Sequence, residues 1–254
     1  MTPSRPLPAA FLDPGHVAHR GLHGPGRPEH GRAAFRAAVE AGYAIELDAQ
    51  ISRDGVAMAF HDYTLDRLAG RADRVDALDA AALGGVPLLG GDGEGIHTVA
   101  EALEIIAGRV PVLVEVKDQD GDMGPNVGAL ERAVADVLSG YDGPAAVMSF
   151  NPHAVALMAD LLPDLPRGLT TSRYDAHAWP ELSEATRARL RELPDVERLG
   201  LAFISHQADA VDMPRVRALR AGGLPVLCWT IRRPEQVAMV RPYVDAITFE
   251  GFLP

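Results

Sequence analysis

Three acid or base side chains, Glu46, Asp48 and His61, interrupt an otherwise apolar stretch between residues 39 and 62. Because side chains alternate between the two faces of a strand, Glu46 and Asp48 share one face of the predicted strand 43–50. Two carboxylates at this spacing repel each other unless a cation or a basic group lies between them. Each residue alone is more typical of a solvated sheet face or a strand end, but the three together indicate a chemical site.

Two other predicted strands also end in charged side chains. The run HVAHRG ends with His19 and Arg20, and in VPVLVEVKD the side chains of Glu115 and Lys117 share a face. If these strands are parallel, their carboxyl ends meet at one edge and collect all of these groups. Carboxylates from different strands suit a hard divalent cation, the arginine and the lysine suit a phosphate, and two histidines suit proton transfer near neutral pH.

The elements that would position these groups alternate between β-rich and amphipathic helical runs, the pattern of a parallel sheet. The predicted strands are 16–21, 43–50, 110–117, 145–150, 166–171, 201–206, 225–231 and 245–250. The predicted helices are 32–41, 98–108, 127–139, 152–162, 181–193, 213–222 and 233–241. Eight such strands predict an α/β fold, a closed (β/α)₈ TIM barrel. An open doubly wound sheet is the alternative, but no glycine-rich dinucleotide fingerprint follows the first strand.

One interval, about residues 56–96, breaks this rhythm. It holds a short strand after the turn signal at Asp54 and Gly55, then a charged stretch and a glycine-rich loop. An excursion of this length after a barrel strand is usually functional, because the loops at the carboxyl ends of barrel strands form the active-site rim. We therefore predict one barrel domain spanning residues 1–254, with a small insertion after its second strand.

The composition argues against several partners. Acidic residues outnumber basic ones by 35 to 24, for a formal net charge of −11, and no basic block offers a nucleic-acid surface. No run approaches the roughly 18 apolar residues of a membrane span, and the first residues lack the apolar core of a secretory signal. We expect a small-molecule partner, no nucleic acid, no stable membrane insertion and a cytoplasmic location. Cys228, the only cysteine, lies in an apolar run that predicts a buried structural thiol.

The ordered motifs resemble the glycerophosphodiester phosphodiesterase family over nearly the whole chain. The family's HRG, PENT, ElD, HD and EiK motifs appear here as AHRG, PEHG, IELDAQ, DGVAMAFHDYTLDR and VEVK. Any one of these short motifs occurs by chance, whereas the ordered set at this spacing is a strong signal. The later runs SFNP and CWTI also resemble that family's fourth and seventh strands.

The resemblance implies hydrolysis of a glycerophosphodiester to glycerol 3-phosphate and an alcohol, with one divalent metal ion, Mg²⁺ or Ca²⁺, as cofactor. It also implies the roles of individual residues: metal ligands at Glu46, Asp48 and Glu115, acid/base histidines at His19 and His61, phosphate-binding cations at Arg20 and Lys117, and a wall of the alcohol pocket at Trp229. By analogy with related barrel phosphodiesterases, His19 is expected to act as base and His61 as acid. For Trp229, ordinary barrel packing is an equal alternative.

The chain departs from the family pattern at two places. In the PENT motif His30 and Gly31 replace asparagine and threonine, so whatever the asparagine amide anchors must be held in another way. In the last strand Phe249, followed by Glu250, stands where the family usually has a Thr-Asp pair. These departures bear on substrate fit, since neither removes a predicted metal ligand or histidine.

Two other functions stay open. One is a lipid-acting phosphodiesterase of the lysophospholipase D or sphingomyelinase D type, which would share the barrel. No cationic amphipathic helix indicates membrane docking, so water-soluble substrates are favoured. The other is a barrel that binds a phosphorylated ligand or a metal without turnover, although the complete set of predicted catalytic residues argues against it. Serine hydrolysis has no support, because Ser149 starts no G-x-S-x-G motif.

Overall fold

Eight of the nine strands in the computed structural model, which describes residues 4–254, form a closed parallel (β/α)₈ barrel, and the ninth, β3, pairs antiparallel with β2. Within that range the nine strands are β1 His16–His19, β2 Ala44–Ile51, β3 Ala57–Ala59, β4 Val112–Val116, β5 Ala145–Ser149, β6 Arg167–Thr171, β7 Phe203–Gln207, β8 Val226–Ile231 and β9 Ala246–Phe249. The hydrogen-bonded order is β1-β9-β8-β7-β6-β5-β4-β2-β3, and β1 also pairs with β2. The TIM-barrel prediction is confirmed, and every predicted barrel strand corresponds to an observed one.

Helices follow the strands where the amphipathic runs predicted them. They are α1 Arg32–Ala41, α2 Asp66–Ala69, α3 Ala80–Gly84, α4 Val99–Ile106, α5 Ala129–Ser139, α6 Pro152–Leu161, α7 Glu184–Arg191, α8 Asp195–Leu199, α9 Pro214–Ala221 and α10 Pro234–Val240. The short helices α2 and α3 belong to the predicted insertion. Helix α8 was not predicted, because a five-residue helix is too short to show a helical period in the sequence. Among the described residues, no helix has the length and apolar character needed to cross a membrane.

The chain groups into two compact units. Among the described residues, one contains 4–17 together with Asp118–Val127 and Ala146–Pro254, and the other contains Ala18–Lys117 and Gly128–Ala145. A single domain over the whole chain stays a prediction.

In the unit that begins at Ala18, strands β2 and β4 are buried along both faces, as is usual for parallel strands covered by helices. Their register places Asp48 beside Glu115. Strand β3 returns antiparallel along β2, after a turn in which Gly55 adopts the left-handed backbone conformation with φ of 84°. The register therefore brings charged positions from two strands onto one patch.

The insertion in this unit has an apolar cluster of its own, which includes Phe60, Leu65, Leu68, Leu83, Val86 and Leu88. It also caps a barrel helix. Helix α1 begins after Gly31, which has no side chain to accept the first helical N–H groups, and the Glu94 carboxylate accepts the N–H of Arg32 at 2.9 Å instead. The insertion is thus joined to the barrel by a specific polar contact.

In the other unit, strands β5 to β9 pair in parallel order. Gly168 on β6 lies beside Phe203 on β7, and a Cβ atom at this glycine would come within 2.5 Å of the phenylalanine ring. Only glycine leaves room for that ring. Cys228 is fully buried, as predicted, and burial raises the pKa of its thiol to about 12.

Candidate active site

Three buried carboxylates form the centre of the site. Glu46 and Asp48 on β2 and Glu115 on β4 each offer an oxygen, and these oxygens lie within 4.8 Å of one another. Burial, followed by repulsion from Asp48 and Glu115, raises the pKa of Glu46 well above its usual value. Three carboxylate oxygens at this spacing are a donor set for a hard divalent cation. The residues therefore fit the metal implied by the motifs.

Two cations are paired with these carboxylates. Lys117 Nζ lies 2.6 Å from Asp48 Oδ1 and also donates to Glu115 Oε1. Arg20 Nε lies 3.2 Å from Asp48 Oδ2, and the backbone N–H of Arg20 donates to Glu46 Oε2 at 3.1 Å. Although burial opposes it, the charge of Lys117 is the main cause that holds the pKa of Asp48 well below its usual value. When all five side chains are ionised, three negative and two positive charges leave a net charge of −1.

The two predicted acid/base histidines belong to the same compact unit as the three carboxylates, the unit that begins at Ala18. His19 ends β1, and its Nε2 is 3.9 Å from Glu46 Oε2. His61 follows β3, and its Nδ1 is 2.7 Å from Asp62 Oδ1. The backbone of His61 is tied to β2, because its carbonyl accepts a hydrogen bond from Gln50 Nε2 at 3.1 Å. Gln50 shares the strand face of Glu46, so strand alternation predicts its orientation but not this contact.

A carboxylate from the PENT-like motif joins the site to the insertion. Glu29 accepts hydrogen bonds from Arg20 Nη1 at 2.7 Å and from both terminal nitrogens of Arg67, at 2.8 and 2.7 Å. Burial opposes ionisation, but the Arg67 hydrogen bonds and the Arg20 charge lower the pKa of Glu29 to about 2. Arg67 Nε also donates to Asp62 Oδ2 at 2.7 Å. Sequence reasoning missed Arg67 and Asp62, although both stand in the motif HDYTLDR.

The histidine that departs from the PENT motif is part of the site. His30 is buried, and its Nε2 accepts the backbone N–H of Asp48 at 3.1 Å. Burial lowers the pKa of His30. The backbone N–H of His30 donates to the carbonyl of Arg20 at 3.0 Å, and both residues have left-handed backbones, with φ of 57° for His30 and 55° for Arg20. Such conformations cost about 1–3 kcal/mol in residues other than glycine and persist where surrounding contacts hold them.

Trp229 lies on β8, in the compact unit that contains Ala146–Pro254. Its indole Nε1 donates to the carbonyl of Ser205 at 3.0 Å. The ring packs edge-on against Phe150 at 5.5 Å between centroids, and Phe150 packs against Trp179 at 4.9 Å. All three rings are partly exposed. This aromatic cluster is compatible both with packing and with contact to a ligand.

The unusual end of the last strand also lies in that unit. Phe249 is buried and packs against Phe252, with ring centroids 5.7 Å apart. Glu250 accepts a hydrogen bond from Arg232 Nε at 2.6 Å. The phenylalanine at this position therefore contributes to the apolar core, where the family usually has a polar pair.

Comparison with known proteins gives concordant results. The model of the Glycerophosphoryl diester phosphodiesterase family matches residues 19–250. A glycerophosphodiester phosphodiesterase of Caldanaerobacter subterraneus subsp. tengcongensis is 30% identical over 245 residues, covering 91% of each protein. The structure of an Oleispira antarctica phosphodiesterase in complex with the product sn-glycerol-3-phosphate is similar with a TM-score of 0.77, at 26% identity and over 94% of each chain. A glycerophosphodiester phosphodiesterase of Parabacteroides distasonis, 19% identical over 92% of each chain, shares the fold with a TM-score of 0.73.

Proposed function

The chain belongs to the glycerophosphoryl diester phosphodiesterase family, and from that premise we propose how its buried carboxylates, cations and histidines act. The protein is a phosphoric diester hydrolase that cleaves glycerophosphodiesters. We propose that its products are glycerol 3-phosphate and a free alcohol, a proposal supported by the product named for the O. antarctica relative. The observation that carries the proposal is the cluster of Glu46, Asp48 and Glu115, with Arg20 and Lys117 bonded to it.

We assign Glu46, Asp48 and Glu115 as the ligands of one divalent cation, Mg²⁺ or Ca²⁺. The assignment is supported by their spacing, their burial and the uncompensated negative charge of the cluster. When bound, the ion would withdraw charge from a nonbridging phosphoryl oxygen. Adding two positive charges to the net −1 of the five side chains gives +1, which matches the single negative charge of a phosphodiester.

Arg20 and Lys117 are proposed to contact the phosphoryl group. Both side chains are already held by carboxylates, Arg20 by Asp48 and Glu29 and Lys117 by Asp48 and Glu115. Cations fixed in this way need little reorganisation as negative charge builds up in the transition state, and this is the main advantage of a preorganised site.

His19 and His61 are proposed to transfer the protons. A hydroxyl of the substrate's own glycerol, tethered next to the phosphorus, attacks it, and His19 accepts the hydroxyl proton. The bond from phosphorus to the alcohol breaks, and His61 protonates the departing oxygen. Water then opens the cyclic phosphate with the two histidine roles exchanged. Attack by the substrate hydroxyl is favoured because the serine and the cysteine of the family-like motifs, Ser149 and Cys228, are both buried and no other serine or cysteine stands in those motifs.

The test of the reaction compares glycerophosphocholine with its acylated form and with an analogue that lacks free hydroxyl groups, each with added Mg²⁺ or Ca²⁺. Phosphorus NMR follows the products. We expect cleavage of glycerophosphocholine through a cyclic phosphate and slow cleavage of the deoxy analogue. Preference for the acylated form would support a lipid phosphodiesterase, and absence of any turnover would support a binding protein. If the deoxy analogue reacts as fast and no cyclic phosphate appears, water attacks directly and His19 is the group that activates it.

Trp229 is proposed to contact the alcohol moiety of the substrate, because its ring is partly exposed within the aromatic cluster. Trp229→Ala should raise KM with kcat largely retained. A lowered melting temperature with unchanged KM would show that the ring only packs.

The cytoplasmic location also stays a prediction, which cell fractionation would test.

A further inference from the structure

A continuous series of hydrogen bonds runs through Arg67 and joins two groups of the proposed active site. Arg67 Nε donates to Asp62 Oδ2 at 2.7 Å, and the other oxygen of Asp62 lies 2.7 Å from His61 Nδ1. Arg67 Nη1 and Nη2 donate to Glu29 at 2.8 and 2.7 Å, and Glu29 Oε1 also accepts Arg20 Nη1 at 2.7 Å. One guanidinium therefore holds the carboxylates that contact His61 and Arg20.

We propose that Arg67, which the insertion supplies, is a positioning residue for phosphodiester hydrolysis that orients His61 through Asp62 and Arg20 through Glu29. This inference rests on the proposed functional roles of His61 and Arg20. Arg67 itself is not assigned a contact with the substrate.

The Asp62 branch controls which ring nitrogen of His61 exchanges protons with the substrate. When the neutral imidazole donates its Nδ1 proton to the Asp62 carboxylate, Nε2 is left as the acceptor. Asp62 can do this only while it is ionised and fixed in orientation, and Arg67 binds its other oxygen. Loss of Arg67 frees the carboxylate to rotate, so the imidazole spends less time in the orientation and tautomer that the reaction needs.

The Glu29 branch controls the charge that Arg20 can offer to a phosphate. Glu29 accepts two hydrogen bonds from Arg67 and one from Arg20, so its negative charge is shared between two guanidinium groups. Without Arg67, Arg20 would be the remaining cation bonded to this largely buried carboxylate. A tighter pair with Glu29 would draw Arg20 away from the substrate.

The position of Arg67 is itself held by the fold. Arg67 lies on α2 next to Leu68, and Leu65 immediately precedes the helix. Both leucines pack in the apolar cluster of the insertion. The planar fork of a guanidinium can serve two carboxylates at once, whereas a lysine ammonium cannot reproduce that geometry. The anchored backbone and the choice of arginine are both what a positioning role requires.

Arg71 offers a matched control within the same insertion. Its side chain is 46% exposed, against 47% for Arg67, and its Nε donates to Asp73 at 2.8 Å. Arg71→Ala therefore removes a surface ion pair of similar exposure that does not involve the proposed active-site residues. Any general effect of removing an arginine from the insertion should appear in both variants.

The experiment measures kcat, KM and melting temperature for Arg67→Ala, Arg67→Lys and Arg71→Ala with glycerophosphocholine, and His61→Ala is assayed in parallel. Residues that orient the ligands of a metal are typically worth about 10- to 100-fold in activity, and we take the same range for a residue that orients a histidine and an arginine. We expect Arg67→Ala to lose about that much in kcat/KM, Arg67→Lys to lose less, and Arg71→Ala to match the wild type. Added guanidinium ion should restore part of the activity of Arg67→Ala, and methylammonium should restore less.

Two further variants separate the branches and serve if Arg67→Ala fails to fold. Asp62→Asn should mainly lower kcat, because it disturbs His61, whereas Glu29→Gln should mainly raise KM, because it disturbs Arg20. Wild-type kinetics in the folded Arg67→Ala variant would overturn the inference. A loss of activity that guanidinium does not restore, together with no split between kcat and KM in Asp62→Asn and Glu29→Gln, would also overturn it. Full activity of His61→Ala would instead overturn the catalytic assignment itself.

Discussion

Replacing Glu46 by glutamine should stabilise the metal-free protein and at the same time abolish its response to divalent cations. Glu46 is buried beside Asp48 and Glu115, with carboxylate oxygens within 4.8 Å of each other. Glutamine removes the negative charge but keeps a side-chain oxygen that can accept the N–H of Arg20, which Glu46 accepts at 3.1 Å. The substitution therefore isolates the charge from the hydrogen bond.

The expected gain in stability follows from the spacing of the charges. At the 4.8 Å limit that encloses the three carboxylates, each like-charged pair is worth about 3.5 kcal/mol in an effective dielectric of about 20. Two such pairs involve Glu46, and burial adds to the cost of its charge, while the charges of Arg20 and Lys117 offset part of the repulsion. We expect a net gain on the order of 1–3 kcal/mol for a neutral side chain, or roughly 3–10 °C in melting temperature for a protein of this size.

The assay compares thermal unfolding in a chelator with unfolding during titration by Mg²⁺ or Ca²⁺. A cation that binds only the folded protein adds about 2.7 kcal/mol of stability at 100 times its dissociation constant. The wild type should show this gain, and Glu46→Gln should lose it together with turnover. Glu104→Gln, at an exposed position on α4, serves as the control and should behave like the wild type in both conditions.

Two results would refute this reasoning. A Glu46→Gln variant that melts below the wild type in chelator would mean that the carboxylates do not oppose folding. An unchanged stabilisation by divalent cations in the variant would mean that Glu46 is not a ligand.

The remaining predictions concern the histidines and Glu29. His19→Ala and His61→Ala should each reduce turnover by about 10² to 10⁴ while melting temperatures stay close to that of the wild type, and an unchanged rate in either variant would remove that residue from the mechanism. His30→Leu should lower the free energy of unfolding by about 1–3 kcal/mol in urea titrations, because the N–H of Asp48 loses its acceptor, whereas His30→Asn should lose less. The pKa of Glu29 is lowered from 4.5 to about 2, so its stabilising contribution is fully present above pH 4.5 and is lost as the pH falls towards 2. Partial solvent screening limits this contribution to about 1–2 kcal/mol, and unfolding at pH 7 and pH 3 should therefore show a larger loss for the wild type than for Glu29→Gln. Equal losses would contradict that assignment.

The sequence by itself determined the features that depend on local periodicity. Alternation along β2 is enough to place Glu46 and Asp48 on one face, because the two-residue repeat of a strand is a property of its backbone. The succession of strands and amphipathic helices predicted the barrel for the same reason. The turn at Asp54 and Gly55 and the short strand after it were also readable, since a tight turn carries its own residue preferences.

Only the tertiary structure decided how separate segments meet. The register that places Asp48 beside Glu115 depends on how β2 and β4 align, and nothing local to either strand specifies it. Arg67 reaches Glu29 across 38 positions of the chain because the leucines beside it pack in the insertion's apolar cluster. The role of His30 as acceptor for Asp48 also arises only when a left-handed turn brings its ring against β2. Such contacts depend on packing between distant parts of the chain, and this packing leaves no periodic pattern in the sequence.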